Sequence, residues 1–361
     1  MNSMAGNLPE AVQQLCKDLH DHAAEVDLKR QWPSETMSWL AEADVFRWFI
    51  PPEYGGDGWS EDQILDGYLA LSQSCITSTF ILTQWNAACK RILGSTNEEL
   101  KQDLLPAMAD GSLFATVGIS HLTTSRQHLA KPVLIAQRVE NGFMLNGFSP
   151  WVTSAAQADV IVLGASLDDG TQIIAAVSTE SEGLEASPGA DLVALSSSCT
   201  DAVKLENVFV SESRIVAGPV ENVLQTNSGG GAGGLQTSTL ALGLTLASVE
   251  YLHQQAEKRQ DLAQIAQKME QDAEELCGAL RDLNAGESCS MDAAELRQRA
   301  NSLVLRCTQA ALSAAKGAGF MASHPAGRWA REALFFLVWS CPQPVVSANL
   351  CELAQIAGSE P

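Results

Sequence analysis

The chain has 361 residues, 46% of them hydrophobic, with 22 Lys+Arg against 43 Asp+Glu and a formal net charge of -21. That length carries a large buried core and predicts two or three domains. The acidic excess repels phosphate backbones and anionic lipid, which argues against nucleic acid and membrane surfaces as partners.

Nine Cys residues, Cys16, Cys75, Cys89, Cys199, Cys277, Cys289, Cys307, Cys341 and Cys351, are scattered with no Cys-x-x-Cys pair. An odd, dispersed set predicts reduced thiols packed as small apolar groups. The opening residues lack the basic start and apolar core of a signal peptide. No run approaches the roughly 20 apolar residues of a membrane span. A cytoplasmic protein is expected.

Residues 8 to about 110 read as helices. Pro9 is placed to start one, with Val12, Leu15 and Leu19 at helical spacing. Met37, Leu40 and Val45 continue the pattern. Ile50-Pro51-Pro52-Glu53-Tyr54-Gly55-Gly56-Asp57-Gly58 is a forced loop, because two prolines and three glycines interrupt any regular element. Ser60 then starts a helix, a second spans Ser78 to Leu93, and a third runs from Asn97 to the Asp110-Gly111 turn.

At residue 112 the period changes. Leu113–Val117 suits a strand. Val133–Val139 and Phe143–Leu145 flank Asn141-Gly142, a strong hairpin signal. Val160–Leu163 and Ile173–Val177 flank Asp168-Asp169-Gly170, a second hairpin, and the runs 203–205 and 208–210 complete the unit. No long helix interrupts this stretch, which predicts an antiparallel barrel or sandwich. Residues 226–234 form a glycine-rich connector without the Lys-Ser/Thr of a phosphate loop. Helical periodicity then resumes over Leu242–Leu252, 260–283 and 293–315, lengths that suit a four-helix bundle. The expected fold is therefore α+β: an N-terminal helical domain (1–111), a middle β domain (112–218) and a C-terminal bundle (219–361).

This order, with four stretches at matching places, resembles the acyl-CoA dehydrogenase family of flavoproteins, whose fold is shared by flavin-dependent monooxygenases. Ile50–Gly58 is similar to the family's Pro-Glu-x-Tyr-Gly-Gly-x-Gly loop. Leu104–Gly111 is similar to the segment entering its β domain. Asn146-Gly147-Phe148-Ser149-Pro150-Trp151-Val152-Thr153-Ser154-Ala155 is similar to its flavin-contacting stretch. Ala315–Phe320, followed by Arg328–Glu332, is similar to its Gly-Gly-x-Gly-Phe turn and the next helix. Together these reach from about residue 35 to 350.

The resemblance implies FAD as cofactor and an acyl thioester, such as an acyl-CoA, or a similar small carbonyl compound as substrate. It implies Trp151 packed on the isoalloxazine and Thr153 near flavin N5, with Ser154 and Ser125 as further cofactor-binding residues. Arg259 matches the Arg that reaches the FAD pyrophosphate of a neighbouring subunit, and Gly317 and Gly319 the turn the partner's FAD approaches. A homodimer or homotetramer follows. The chemistry suits these roles. An indole supplies contact area and shields a flat cofactor from water, and an Arg makes charge-assisted bonds to pyrophosphate.

The chain also departs from the family. Its carboxylate base falls on Ser340, preceded by Trp339 where the family has Tyr. The alternative base site falls on Gly233 and Gly234. Arg126 replaces an acid at the β-domain entry, making the edge from Ser120 to Arg126 basic and hydroxyl-rich. Three readings follow: a dehydrogenase-like oxidoreductase with a base elsewhere (Glu332, His121 or Glu53), a flavin-dependent monooxygenase that needs no such base, or a non-catalytic FAD- or ligand-binding homologue. No metal site is expected. His20 and His22 point to different helix faces, and His121 and His128 lack acid or Cys partners at ligand spacing. Arg259 has a second reading as a helix-terminal cation, and Trp151 a second reading as core.

Overall fold

The computed structural model describes residues 8–122, 132–226 and 234–356. Its N-terminal part holds five helices: α1 (Glu10–Lys29), α2 (Ser34–Glu42), α3 (Glu61–Ser74), α4 (Ile76–Leu93) and α5 (Glu98–Ala109). Val12, Leu15, Cys16, Leu19, Ala23 and Val26 of α1 are buried at three- and four-residue spacing, the signature of one apolar face turned inward. A reciprocal capping box starts α3, with the Ser60 hydroxyl accepting from the Gln63 amide and the Gln63 side chain accepting from the Ser60 amide. The Asn97 side chain caps α5. The 50–58 loop is forced as expected. A Cβ on Gly56 would lie 1.8 Å from the Ile50 carbonyl oxygen, so only glycine lets the backbone close there.

The middle part is one eight-stranded sheet: β1 (Ala115–Gly118), β2 (Leu134–Val139), β3 (Gly142–Val152), β4 (Val160–Ser166), β5 (Gln172–Ser178), β6 (Leu184–Ala186), β7 (Asp201–Ser211) and β8 (Ile215–Val220). The order is β6-β7-β3-β2-β4-β5-β8, with β1 beside β4. Both expected hairpins form: β2 pairs with β3 around Asn141, which takes the left-handed φ of 59° that such a turn requires, and β4 pairs with β5. Two features differ from the sequence expectation. β1 runs parallel to β4, as does β2 at its single point of pairing, Ile135 with Ser166. The runs at 203–205 and 208–210 are one strand, β7, kinked at Asn207 with φ 53°.

After the short α6 (Val223–Thr226) come three long helices, α7 (Leu235–Ala256), α8 (Ala263–Ala285) and α9 (Ala293–Ala315), then α10 (Pro325–Ala333) and α11 (Gln343–Ala354). One apolar core runs continuously through the N-terminal helices, parts of β1, β4 and β5, and α7 to α10. The sheet keeps a second core of its own, centred on Leu134, Phe143, Leu163 and Val208. An ion pair between Asp27 of α1 and Arg331 of α10 joins the two ends of the fold.

Candidate functional site

Trp151 is 58% exposed, so it is not a core residue. The cause is local. The β3–β7 register shifts between Ser149 and Val152, and such a bulge re-aims a side chain. Trp151 takes φ 56° there, a conformation that costs a bulky residue about 1–3 kcal/mol and persists only when its surroundings impose it. Its neighbours do so. Ser120 Oγ donates to the Pro150 carbonyl at 2.8 Å, Thr116 Oγ1 to the Thr153 carbonyl at 2.7 Å, and Ser154 Oγ to the Ser198 carbonyl at 3.0 Å. The result is an exposed indole on a braced backbone.

Thr153 and Ser154 are each 1% exposed. Thr153 Oγ1 lies 2.9 Å from Thr200 Oγ1, which lies 2.8 Å from Ser198 Oγ. The three hydroxyls form one chain in which each can donate or accept. Ser125 lies outside the described residues. His121, at the same end of the sheet, is buried. Its Nε2 donates to the Gly164 carbonyl at 2.7 Å, which leaves Nδ1 to face the Ser149 hydroxyl at 3.5 Å.

A second group gathers at the C-terminal end of α9. Arg259 Nη1 donates to the Ala314 carbonyl at 2.9 Å, and Nη2 to Asp261 Oδ2 at 3.3 Å. Arg259 thus neutralises the carbonyl end of α9, as a helix-terminal cation does. Gly317 and Gly319 follow in a 3-10 turn, Lys316–Phe320. A Cβ on Gly319 would lie 2.7 Å from Ala315 Cβ, whereas Gly317 faces open space. Among the described residues no hydrogen bond or ion pair joins this group to the one around Trp151.

The third group surrounds Ser340, which is exposed with φ 45°. Trp339 stacks on Phe335 at 4.9 Å and 14°, and Phe80 of α4 meets Trp339 edge-on at 5.1 Å. Behind them lies Arg297 of α9, 1% exposed, whose Nη2 donates to the Trp339 carbonyl at 2.8 Å. Asn301, one turn on, donates to the Phe336 carbonyl at 3.0 Å. Sequence reasoning missed Arg297. The available signal was its place on the apolar stripe with Ala300, Val304 and Ala311, all buried.

Of the other acids named for a proton-transfer role, Glu332 is 2% exposed and 3.5 Å from Arg328, and burial pushes its carboxyl up to about 7. Glu53 is exposed on the 50–58 loop. His22 faces Glu25 and Glu35, while His20 is exposed on another face of α1. Among the described residues no three His, Cys, Asp or Glu side chains converge as metal ligands. Nor is any helix among them long and apolar enough to cross a membrane.

The family model for "Acyl-CoA dehydrogenase, N-terminal domain" matches residues 7–112. Over those residues the chain carries the N-terminal domain of the acyl-CoA dehydrogenase family. Among curated proteins it is similar to the probable acyl-CoA dehydrogenase YngJ of Bacillus subtilis, 22% identical over 88% of each chain. It is also similar to the glutaryl-CoA dehydrogenase of Desulfococcus multivorans, 24% identical over 96% of each. Among solved structures it superposes on a Mycobacterium smegmatis glutaryl-CoA dehydrogenase in complex with FADH2, with TM-score 0.78 and 17% identity over 98% of this chain and 97% of that one. The prolyl acyl carrier protein oxidase AnaB gives TM-score 0.79 and 17% identity over 96% and 100%. At these identities the structural likeness speaks for the fold.

Proposed function

We propose that this family member is a flavin-dependent oxidoreductase that binds FAD and acts on an acyl thioester or a similar small carbonyl compound. The observation that carries the reading is Trp151, a solvent-facing indole held on a strained, hydrogen-bonded backbone. An aromatic ring fixed in that way is a stacking platform for a flat cofactor. Thr153 supports it with a hydroxyl two residues from the indole, held in its chain with Thr200 and Ser198. FAD, when bound, would supply hydride or oxygen chemistry. The chain's own part would be to shield the ring with Trp151 and to hold a hydroxyl proton at Thr153. Arg259 keeps donors beyond those given to Ala314 and Asp261, and would offer them to a pyrophosphate next to the open Gly317 turn. In the same reading Phe320 and Met321, 89% and 64% exposed beside that turn, become covered by a second copy in a dimer or tetramer.

A second reading is favoured by Ser340. A serine there cannot abstract the proton that a carboxylate would, and Glu332 and His121 are held in buried contacts of their own. This favours oxygen-using flavin chemistry without that base. The visible spectrum of the purified protein tests the shared premise: a protein that is colourless and cannot be loaded with FAD refutes both readings. Trp151→Ala should weaken FAD binding by about tenfold, the size of an aromatic stacking contribution near 1.4 kcal/mol. Unchanged affinity would remove Trp151 from the site. Anaerobic mixing with a panel of acyl-CoAs then separates the two. Bleaching supports dehydrogenation, whereas oxygen uptake that depends on an external reductant, without bleaching, supports the oxygenase.

A further inference from the structure

Arg297 carries a charge that has been taken out of water. A buried guanidinium is costly unless its donors are met. Here Nη2 is met by the Trp339 carbonyl, and the Cys341 sulfur accepts a further hydrogen bond from the guanidinium. Nε and Nη1 have no partner among the described residues. Among the described residues no carboxylate acts on Arg297. The one titratable side chain that does is the Cys341 thiol, and the guanidinium stays charged at neutral pH although burial lowers its pKa to about 10.

A second feature meets it from the other side. α11 begins two residues after Cys341, with Pro342 as its N-cap. No side chain caps it, and its first turn holds no acid. The N-terminus of a helix presents unpaired amides and about half a positive charge. Pro344 in that turn has no N–H, so Gln343 and Val345 supply the amides. Ser340 is exposed and Cys341 half-buried between the guanidinium and the helix start, and both side chains are donors. The whole turn is thus built from donors and positive charge, while the stacked rings of Trp339 and Phe335 form an apolar wall beside it.

We propose that the 339–345 turn, backed by Arg297, is a binding site for the carboxylate of a small organic acid or acyl ligand, with Trp339 and Phe335 taking its apolar part. The oxyanion supplies acceptors for Nε, Nη1 and the first turn of α11. This deepens the proposed function in one respect, and in that respect rests on it: Ser340 leaves the turn without a carboxylate of its own, so the substrate brings one. Binding itself does not require the flavin.

The test is titration calorimetry on the full chain as purified, with phenylacetate, its neutral analogue phenylacetamide, and inorganic phosphate. Phenylacetate is expected to bind, with phenylacetamide weaker by at least about tenfold, as loss of a charge-assisted contact implies. Arg297→Gln should lose that discrimination. Should Arg297→Gln fail to fold, Cys341→Phe fills the half-exposed turn and should abolish phenylacetate binding. No binding by the unmodified protein, equal affinity for acid and amide, or undiminished binding in the variants would overturn the proposal. Phosphate binding as tightly as phenylacetate would overturn the organic-acid assignment. A colourless protein that discriminates acid from amide removes the flavin reading and leaves this site standing; a yellow protein that does not discriminate does the reverse.

Discussion

Glu332 makes the stability of this protein depend on pH in a window set by one buried carboxyl. The group is 2% exposed on α10, with Arg328 at 3.5 Å and the Asp27–Arg331 pair nearby. Its carboxyl is pushed from 4.5 to about 7, first by burial and also by Asp27, against the pull of Arg328 and Arg331. Between those values the folded protein holds a proton that the unfolded chain has released. Stability therefore falls as pH rises through the window and is flat above it. At 1.36 kcal/mol per unit, the loss is about 3 kcal/mol. Urea unfolding of the wild type and of Glu332→Gln at pH 5, 6, 7.5 and 8.5 isolates it, because every other titration cancels in the difference. Glutamine mimics the protonated acid, so the variant should gain about 2.5 kcal/mol on the wild type between the lowest and highest pH, the rest of the loss lying below pH 5. Parallel pH profiles would show that Glu332 ionises normally in the fold and refute the reasoning.

Two further substitutions test how the helices are set. A Cβ on Gly243 of α7 would lie 2.4 Å from Ser72 Cβ and 2.9 Å from the Leu69 carbonyl of α3. Gly243→Ala must push the two helices apart and should destabilise by about 1–3 kcal/mol; a neutral urea midpoint would mean that this contact is loose. Ser60→Ala removes one half of the capping box on α3 and should cost about 1 kcal/mol, read by the same assay, with an unchanged midpoint showing that solvent replaces the cap.

The elements legible in the sequence were those set by local rules. Asn141-Gly142 announces its hairpin because the turn needs left-handed backbone that Asn adopts readily, and the apolar spacing of α1 announces its buried face. The parallel seating of β1 on β4 is not local: its partners, Ala115 with Val160, are brought together by tertiary packing that no period in the chain records. The kink in β7 misled in the opposite direction. Glu206-Asn207 between two apolar runs has the composition of a turn, yet the strand continues through it, since the amide of Asn207 is taken by the Asn146 side chain of the neighbouring strand.

Two arginines of the bundle, Arg259 and Arg297, show the same division in the candidate site. By the family resemblance, Arg259 was the residue for an anion. In the fold it is partly exposed and already meets Ala314 and Asp261, so a ligand would compete for donors that water and neighbours can also satisfy. Arg297 had no motif to mark it, and its Nε and Nη1 are left unmet away from water. Whether a donor needs a ligand is decided by burial and by its neighbours, which spacing along a chain does not encode. The turn at Ser340 carries no carboxylate, a departure that only the family resemblance implies, and it is also the turn that Arg297 leaves positively charged. These two departures compensate only if something negative enters between them.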